Sequence, residues 1–275
     1  MFKNILFLFF VLQSFAVQPE PFALLTVPKS GSHLLIKTLH YMTAFTPQWH
    51  TNPPEVEKWI GESRFPYTHC CLSPSLLDFY SRSSIKQIIG IRDLRDVCVS
   101  IVYQIRKGIW PGFTHNPQNR QQFEKLSFDE QLLFVIRQEY EVHPPDIQLQ
   151  LGIQKVAIQA VQLIQNPAAL ICRFEDLVGP HGGGSEQAQK DLLRKIGLHI
   201  GLFLSPEQIN ALCSSLYGNE KNPFGQGNFS DYQSTFREGH IGSWKTVFKE
   251  IHKQVFKERL GEALIALGYE TDNSW

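Results

Sequence analysis

Neither sign of charge dominates this chain: 26 Lys and Arg stand against 26 Asp and Glu, a formal net charge of zero. That balance argues against a broad nucleic-acid-binding face, without excluding a small anionic ligand held by a few local cations. The five cysteines (Cys70, Cys71, Cys98, Cys172, Cys213) form no C-x-x-C and no zinc spacing. Their odd number also fits a disulfide framework poorly, so they read as small buried thiols. No metal cluster is visible, and no metal is expected. No apolar run reaches the roughly 20 residues that a membrane span needs. The G-x-x-x-x-G-K-[ST] spacing is missing too, which disfavours ATP hydrolysis.

What is present is enough to bury a core. The chain has 275 residues, 43% of them hydrophobic, room for one large α/β domain or two small ones. Its N-terminus, "MFKNILFLFFVLQSFA", has one early lysine, an apolar run from Ile5 to Leu12, and Ser14-Phe15-Ala16 as a small-x-small triplet. Residues 1–17 read as a secretory signal or as a buried N-terminal segment. Residues 18–275 read as a single domain.

Three short, nearly continuous apolar runs look like buried parallel strands: Phe22 to Val27, Gln87 to Ile91 and Ala169 to Phe174. Helical spacing follows the first at His33 to Met42 and the second at Asp96 to Lys107. Strands alternating with helices predict crossover units on a parallel sheet. A further helix is expected over 127–142, opened by a Ser127-x-x-Glu130 capping box. Ser205-Pro206 opens another. The last is expected over 249–267, with Ile251, Val255, Leu260 and Leu264 inward and Gly268 ending it. Residues 178–187 and 219–242 read as loops, and a loop as long as the second tends to be functional.

The stretch "TVPKSGSHLL" sets Lys29, Ser30, Gly31 and Ser32 between a strand and a helix. Such a turn offers backbone N–H groups at a helix N-terminus, where an anion is favoured. Gly31 permits close approach, Lys29 adds a point charge, and the serines add hydroxyls. Taken alone it reads as a phosphate loop or as an ordinary turn with an exposed lysine. At the second strand, "IRDLRDVCVS" places Arg92 at the strand end and Ser100 eight residues on. These two could hold a second phosphate, or Arg92 or Arg95 could pair with Asp96 at the surface. Two anion clamps at adjacent strand ends imply a ligand with two separated phosphates.

These residues resemble the sulfotransferase family that uses 3′-phosphoadenosine 5′-phosphosulfate. Four motifs carry the resemblance in order, from about Phe22 to Trp275: "VPKSGSH", "RDLRDVCVS", "RFEDL" and "FREGHIGSWKTVF". The ending "IALGYETDNSW" resembles the tails of bacterial members. The resemblance implies a three-layer α/β/α fold with a central, mainly parallel sheet, similar to the P-loop NTPases. It implies that Lys29, Ser30, Gly31, Ser32 and His33 cradle the 5′-phosphosulfate. Leu34 and Phe174 would lie near the adenine. Arg92, Ser100, Arg237 and Gly239 would serve the 3′-phosphate. His69, in "YTHCCLSP", would be the general base, and Lys29 would stabilise the leaving phosphate.

Five positions depart from the cytosolic members: His33 for a threonine, Leu34 for a tryptophan, Tyr67 for a lysine, Phe174 for a tyrosine and Glu238 for a lysine. Arg64 is a candidate to replace the cation lost at Tyr67. The implied activity is sulfuryl transfer to a hydroxyl or amine. The expected acceptor is a small lipophilic alcohol or phenol, with Trp110, Phe113, Phe123, Phe128 and Tyr140 as aromatic candidates for its pocket, although the helical spacing of the last three favours core packing for them. Homodimerisation stays open. So does the compartment, because a secretory signal conflicts with a donor made in the cytosol. The alternatives are a non-catalytic relative that binds adenosine 3′,5′-bisphosphate and a small-molecule kinase.

Overall fold

The computed structural model describes residues 18–59, 62–70, 72–110, 117–137, 152–167, 169–216 and 238–275. The N-terminal segment 1–17, Cys71, Phe113, Tyr140 and Arg237 lie outside these residues. One five-stranded sheet is built from β1 (Phe22–Thr26), β2 (Thr46–Trp49), β3 (Arg64–His69), β4 (Lys86–Ile91) and β5 (Ala169–Arg173). The order is β2-β3-β1-β4-β5 and every pairing is parallel. β1, β4 and β5 match the three apolar runs. β2 and β3 have no such run, and each contains a proline (Pro47 and Pro66), a residue that cannot donate to a ladder. Pro66 nevertheless sits in an interior strand, in register with Gln48.

Side chains alternate along β1 and feed two layers, as the strand period requires. Ala23, Leu25 and Val27 join one core with Ile89 and Ile91; Phe22 and Leu24 join the other with Ile88. The first core is covered by α2 (Pro53–Trp59), α3 (Pro74–Arg82), α4 (Leu94–Arg106), α5 (Pro117–Lys125), α6 (Phe128–Arg137), α7 (Ile153–Ile164) and α11 (Glu250–Ala266). The second is covered by α1 (Ser32–Thr43), the short α8 (Phe174–Leu177), α9 (Glu186–His199) and α10 (Pro206–Leu216). The result is the expected three-layer α/β/α arrangement.

The capping box of α6 forms: Glu130 Oε2 accepts from Ser127 N at 2.8 Å, and Ser127 Oγ accepts from Glu130 N at 3.4 Å. α11 ends at Gly268, in the left-handed region at φ 71°. Ile251, however, is 45% exposed, whereas Val255, Leu260 and Leu264 are buried. The inward position of that first turn belongs to His252, whose Nδ1 accepts from Lys249 N. Phe123 is buried in the first core, and Trp110 and Phe128 pack against it, so these three are packing residues. Cys70, Cys98 and Cys172 are buried free thiols, and Cys213 is a partly buried one.

From β1 the chain runs to β2 and β3 on one side of the sheet, then crosses to β4 and β5 on the other. The connections after β1 and β4 therefore diverge. A crevice at the carboxyl ends of two such strands is where open α/β sheets bind ligands.

Candidate active site

The β1–α1 turn is closed by its own backbone, with Ser30 N donating to the Val27 carbonyl at 3.1 Å. Val27 N and Ser30 Oγ both donate to the Gly90 carbonyl of β4, at 2.8 and 3.2 Å, pinning the turn to the neighbouring strand. Ser30 is 1% exposed, and its hydroxyl holds the turn to β4. Lys29 follows with φ 67°, a left-handed conformation that a side chain with a Cβ rarely adopts. Gly31 caps α1 at φ 84°, and a Cβ there would lie 2.6 Å from Phe174 Cδ2. No side chain caps α1, and its first turn contains no acid. The helix dipole and the first amides thus face the crevice without an internal carboxylate to answer them.

His69 ends β3, in register with Thr26 at the end of β1. Its Nδ1 lies 2.9 Å from Thr26 Oγ1, which lies 2.8 Å from Ser32 Oγ. Burial, then the neighbouring His33 and Lys29, lower the His69 pKa to about 3, against the opposing pull of the Thr26 carbonyl. Burial and Lys29 lower His33 to about 4. Both rings are neutral at physiological pH. Trp49, 37% exposed, stands edge-on to both Tyr67 and His69 at 5.3 Å. Burial raises the Tyr67 hydroxyl to about 12, so it supplies no charge. Arg64 does not replace the missing cation: it opens β3 while His69 closes it, about 16 Å away at the rise of a strand. It pairs with Glu62 instead, at 3.4 Å.

The β4–α4 turn supplies Arg92, 7% exposed. Its guanidinium donates to the Lys29 carbonyl at 3.4 Å, to Asp96 at 3.4 Å and to the His240 carbonyl at 2.7 Å. It stacks on Phe174 at 4.3 Å, and Phe174 in turn touches Gly31, so one ring joins the two turns. Arg92 Nε is buried with no hydrogen-bond partner among the described residues. Ser100, one face of α4 along, is 7% exposed. The pairing of Arg92 with Asp96 is therefore real but buried, not a surface contact.

The contacts that hold this turn go beyond the ion pair legible in the sequence. Asp96, fully buried, accepts from Gly242 N at 2.8 Å and Trp244 N at 2.9 Å, tying the late motif to α4. Glu175 accepts from Asp93 N at 3.0 Å and from the Tyr269 hydroxyl at 2.9 Å; burial raises its pKa. Arg95 forks onto Asp93, meets Glu270 at 2.6 Å, and packs on the Trp244 and Trp275 rings at 3.8 and 4.4 Å, which stand edge to face. These contacts explain the "RFEDL" and "LGYE" segments as supports of Arg92. Gly239 has φ 67°, and the backbone beside it joins the Pro180–Gly182 turn through Ile241 N to Gly182 O at 3.0 Å. Glu238 is exposed. Leu34 packs against the second core.

No family model and no curated protein matches the sequence. Solved structures do match. Mouse sulfotransferase SULT7A1, solved in complex with PAP (adenosine 3′,5′-bisphosphate), is similar at a TM-score of 0.61 and 15% identity over 94% of this chain and 91% of that one. A retinol dehydratase, solved with androsterone and inactive cofactor PAP, is similar at 0.58 and 16% over 95% and 85%. With its sheet order, its paired βα turns and these neighbours, the chain has the fold of the PAPS-dependent sulfotransferases.

Proposed function

We propose that this protein transfers a sulfuryl group from 3′-phosphoadenosine 5′-phosphosulfate to an acceptor hydroxyl. The observation that carries the reading is a convergence at three adjacent strand ends. An uncapped helix N-terminus with Lys29 follows β1, a buried Arg92 with an orphaned Nε follows β4, and a neutral His69 closes β3. An orphaned Nε and a helix N-terminus with neither a capping side chain nor an acid are what a ligand with two anionic groups would satisfy. Solved neighbours that hold PAP support the same ligand.

In this reading the β1–α1 amides and Lys29 hold the 5′ end, and Arg92 with Ser100 and the Gly239 backbone holds the 3′-phosphate. The donor supplies a sulfuryl group whose departure leaves charge on a bridging phosphate oxygen. Lys29 and the loop amides offset that charge, a kind of contact worth about 10²–10³ in rate per donor lost. His69 takes the acceptor proton. Its low pKa reflects an apolar site beside a cation; an anion seated at Lys29 would raise it toward a useful base strength. Trp49 gives the acceptor an apolar wall next to His69, which suits a lipophilic alcohol or phenol.

The test is a thermal shift of the full chain with adenosine 3′,5′-bisphosphate, ADP or ATP-Mg²⁺. At about 100 times its Kd the bisphosphate should stabilise by about 2.7 kcal/mol. A shift with ATP-Mg²⁺ alone would replace this reading with a kinase. His69→Ala should keep the bisphosphate shift while losing about 10²–10⁴ in turnover. Binding without turnover in the unmodified protein, across a panel of phenols and alcohols, would leave a nucleotide-binding protein without catalysis.

A further inference from the structure

Thr26 stands between the anion turn and the base. It is 1% exposed, and its hydroxyl touches Ser32 Oγ at 2.8 Å and His69 Nδ1 at 2.9 Å. A hydroxyl has one proton to give. The row of three groups can therefore run in two directions. In one, His69 Nδ1–H donates to Thr26, Thr26 donates to Ser32, and the Ser32 proton points out of the row. In the other, Ser32 donates to Thr26, Thr26 donates to Nδ1, and the ring proton sits on Nε2. Only the first leaves Nε2 without a proton and able to accept one.

One feature favours the first direction. Ser32 opens α1, beside the amides of the anion turn. An anion there is an acceptor for the Ser32 proton, which fixes Ser32 as the acceptor from Thr26. We infer that Thr26 is the positioning residue that sets the His69 tautomer, and that an anion on the β1–α1 turn selects the base-competent form through Ser32. This rests on the sulfuryl-transfer reading. It adds that occupation of the donor site and readiness of the base are one event, linked through two hydroxyls. The change breaks the Nε2–H bond and forms an Nδ1–H bond: Nε2 gives its proton to water, the row takes one up from water, each hydroxyl keeps one proton and the ring stays neutral.

The experiment is a long-range nitrogen–proton correlation on the full chain with isotopically labelled histidine at neutral pH, where the ring is uncharged. His69→Gln identifies the ring by the loss of its signals. With adenosine 3′,5′-bisphosphate bound, His69 is expected in the Nδ1–H form. Thr26→Val should move it to the Nε2–H form, and Thr26→Ser should restore it. Ser32→Ala should raise the Nε2–H share, because Thr26 then has only the ring to donate to. Turnover of a simple phenol by Thr26→Val should fall about 10²-fold with bisphosphate binding retained, and Thr26→Ser should recover it. An Nε2–H ring in the unmodified, bisphosphate-bound protein overturns the inference, as does a tautomer indifferent to Thr26→Val. If Thr26→Val does not fold, the unmodified, Thr26→Ser and Ser32→Ala spectra decide. Failure of the bisphosphate to bind sinks the sulfuryl-transfer reading itself, and the ligand-free spectrum still reports whether Thr26 sets the tautomer.

Discussion

The two βα turns that face each other across the crevice are built by opposite means. The β1–α1 turn has no capping side chain, no acid, a left-handed lysine and a glycine that a ring overlies. The β4–α4 turn is crowded with carboxylates: Asp93 accepts from Arg95 N, Asp96 holds two amides of the late motif, and Glu175 holds Asp93 N. The first turn opens a helix without a cap or an acid and accepts strain; the second satisfies most of its groups internally and leaves Arg92 Nε over. The lesson is that a site for two anions needs only one poised turn. The other can be a fixed post, with its precision supplied by residues that never meet the ligand.

The sharpest way to break this contrast is Asp96→Ala. It removes the acceptor for Gly242 N and Trp244 N and leaves Arg92 buried without its partner. Removing one member of a buried pair typically costs about 3–5 kcal/mol. Denaturant unfolding should show that loss, and the bisphosphate shift should fall with it. A loss below about 1 kcal/mol, the range of an exposed pair, would mean that the second turn is not a post at all.

Lys29→Gly probes the other side with a smaller effect of opposite sign. The left-handed conformation costs a side chain about 1–2 kcal/mol, a cost that glycine avoids. The ligand-free protein should therefore unfold at a higher midpoint while the bisphosphate shift shrinks. Strain held at functional positions behaves in this way. A variant that is both less stable and unchanged in binding would show that Lys29 supports the fold rather than the site.

Much of the contrast could be read from the sequence, and the missing part has a physical cause. Local signals identified β1, β4 and β5, α1, α4 and α10, because apolar runs and helical spacing are properties of neighbouring residues. The Lys29 turn and Arg92 were visible as motifs in order. β2 and β3 were not, since Pro47 and Pro66 read as breakers and the strands are partly polar. The internal use of the Ser30 hydroxyl, the scaffold of Asp96, Glu175 and Tyr269, and the packing of Arg95 on Trp244 and Trp275 all join residues distant in the chain. Arg64 illustrates the same limit in reverse: close to His69 in sequence, it lies at the other end of an extended strand.

Acid separates the two turns through their titratable groups. His33 and His69, around the first turn, have pKa values lowered from 6.5 to about 4 and about 3. Their unfolded forms bind protons first, so the stability that goes with the neutral rings is present above 6.5 and is lost as pH falls below it. Glu175, behind the second turn, is shifted upward from 4.5 by burial. Its ionised form costs stability, and that cost disappears as pH falls through the raised value. Mild acid should thus weaken the first turn and spare the second. Between neutrality and about pH 5 each ring would contribute a loss of at most about 2 kcal/mol. The His33→Gln/His69→Gln variant should lose less stability than the unmodified protein over that interval, with a residue of sensitivity left by buried His50, lowered to about 4. Equal losses in the two proteins, measured by denaturant midpoint at each pH, would place the acid sensitivity elsewhere and remove the electrostatic half of the comparison.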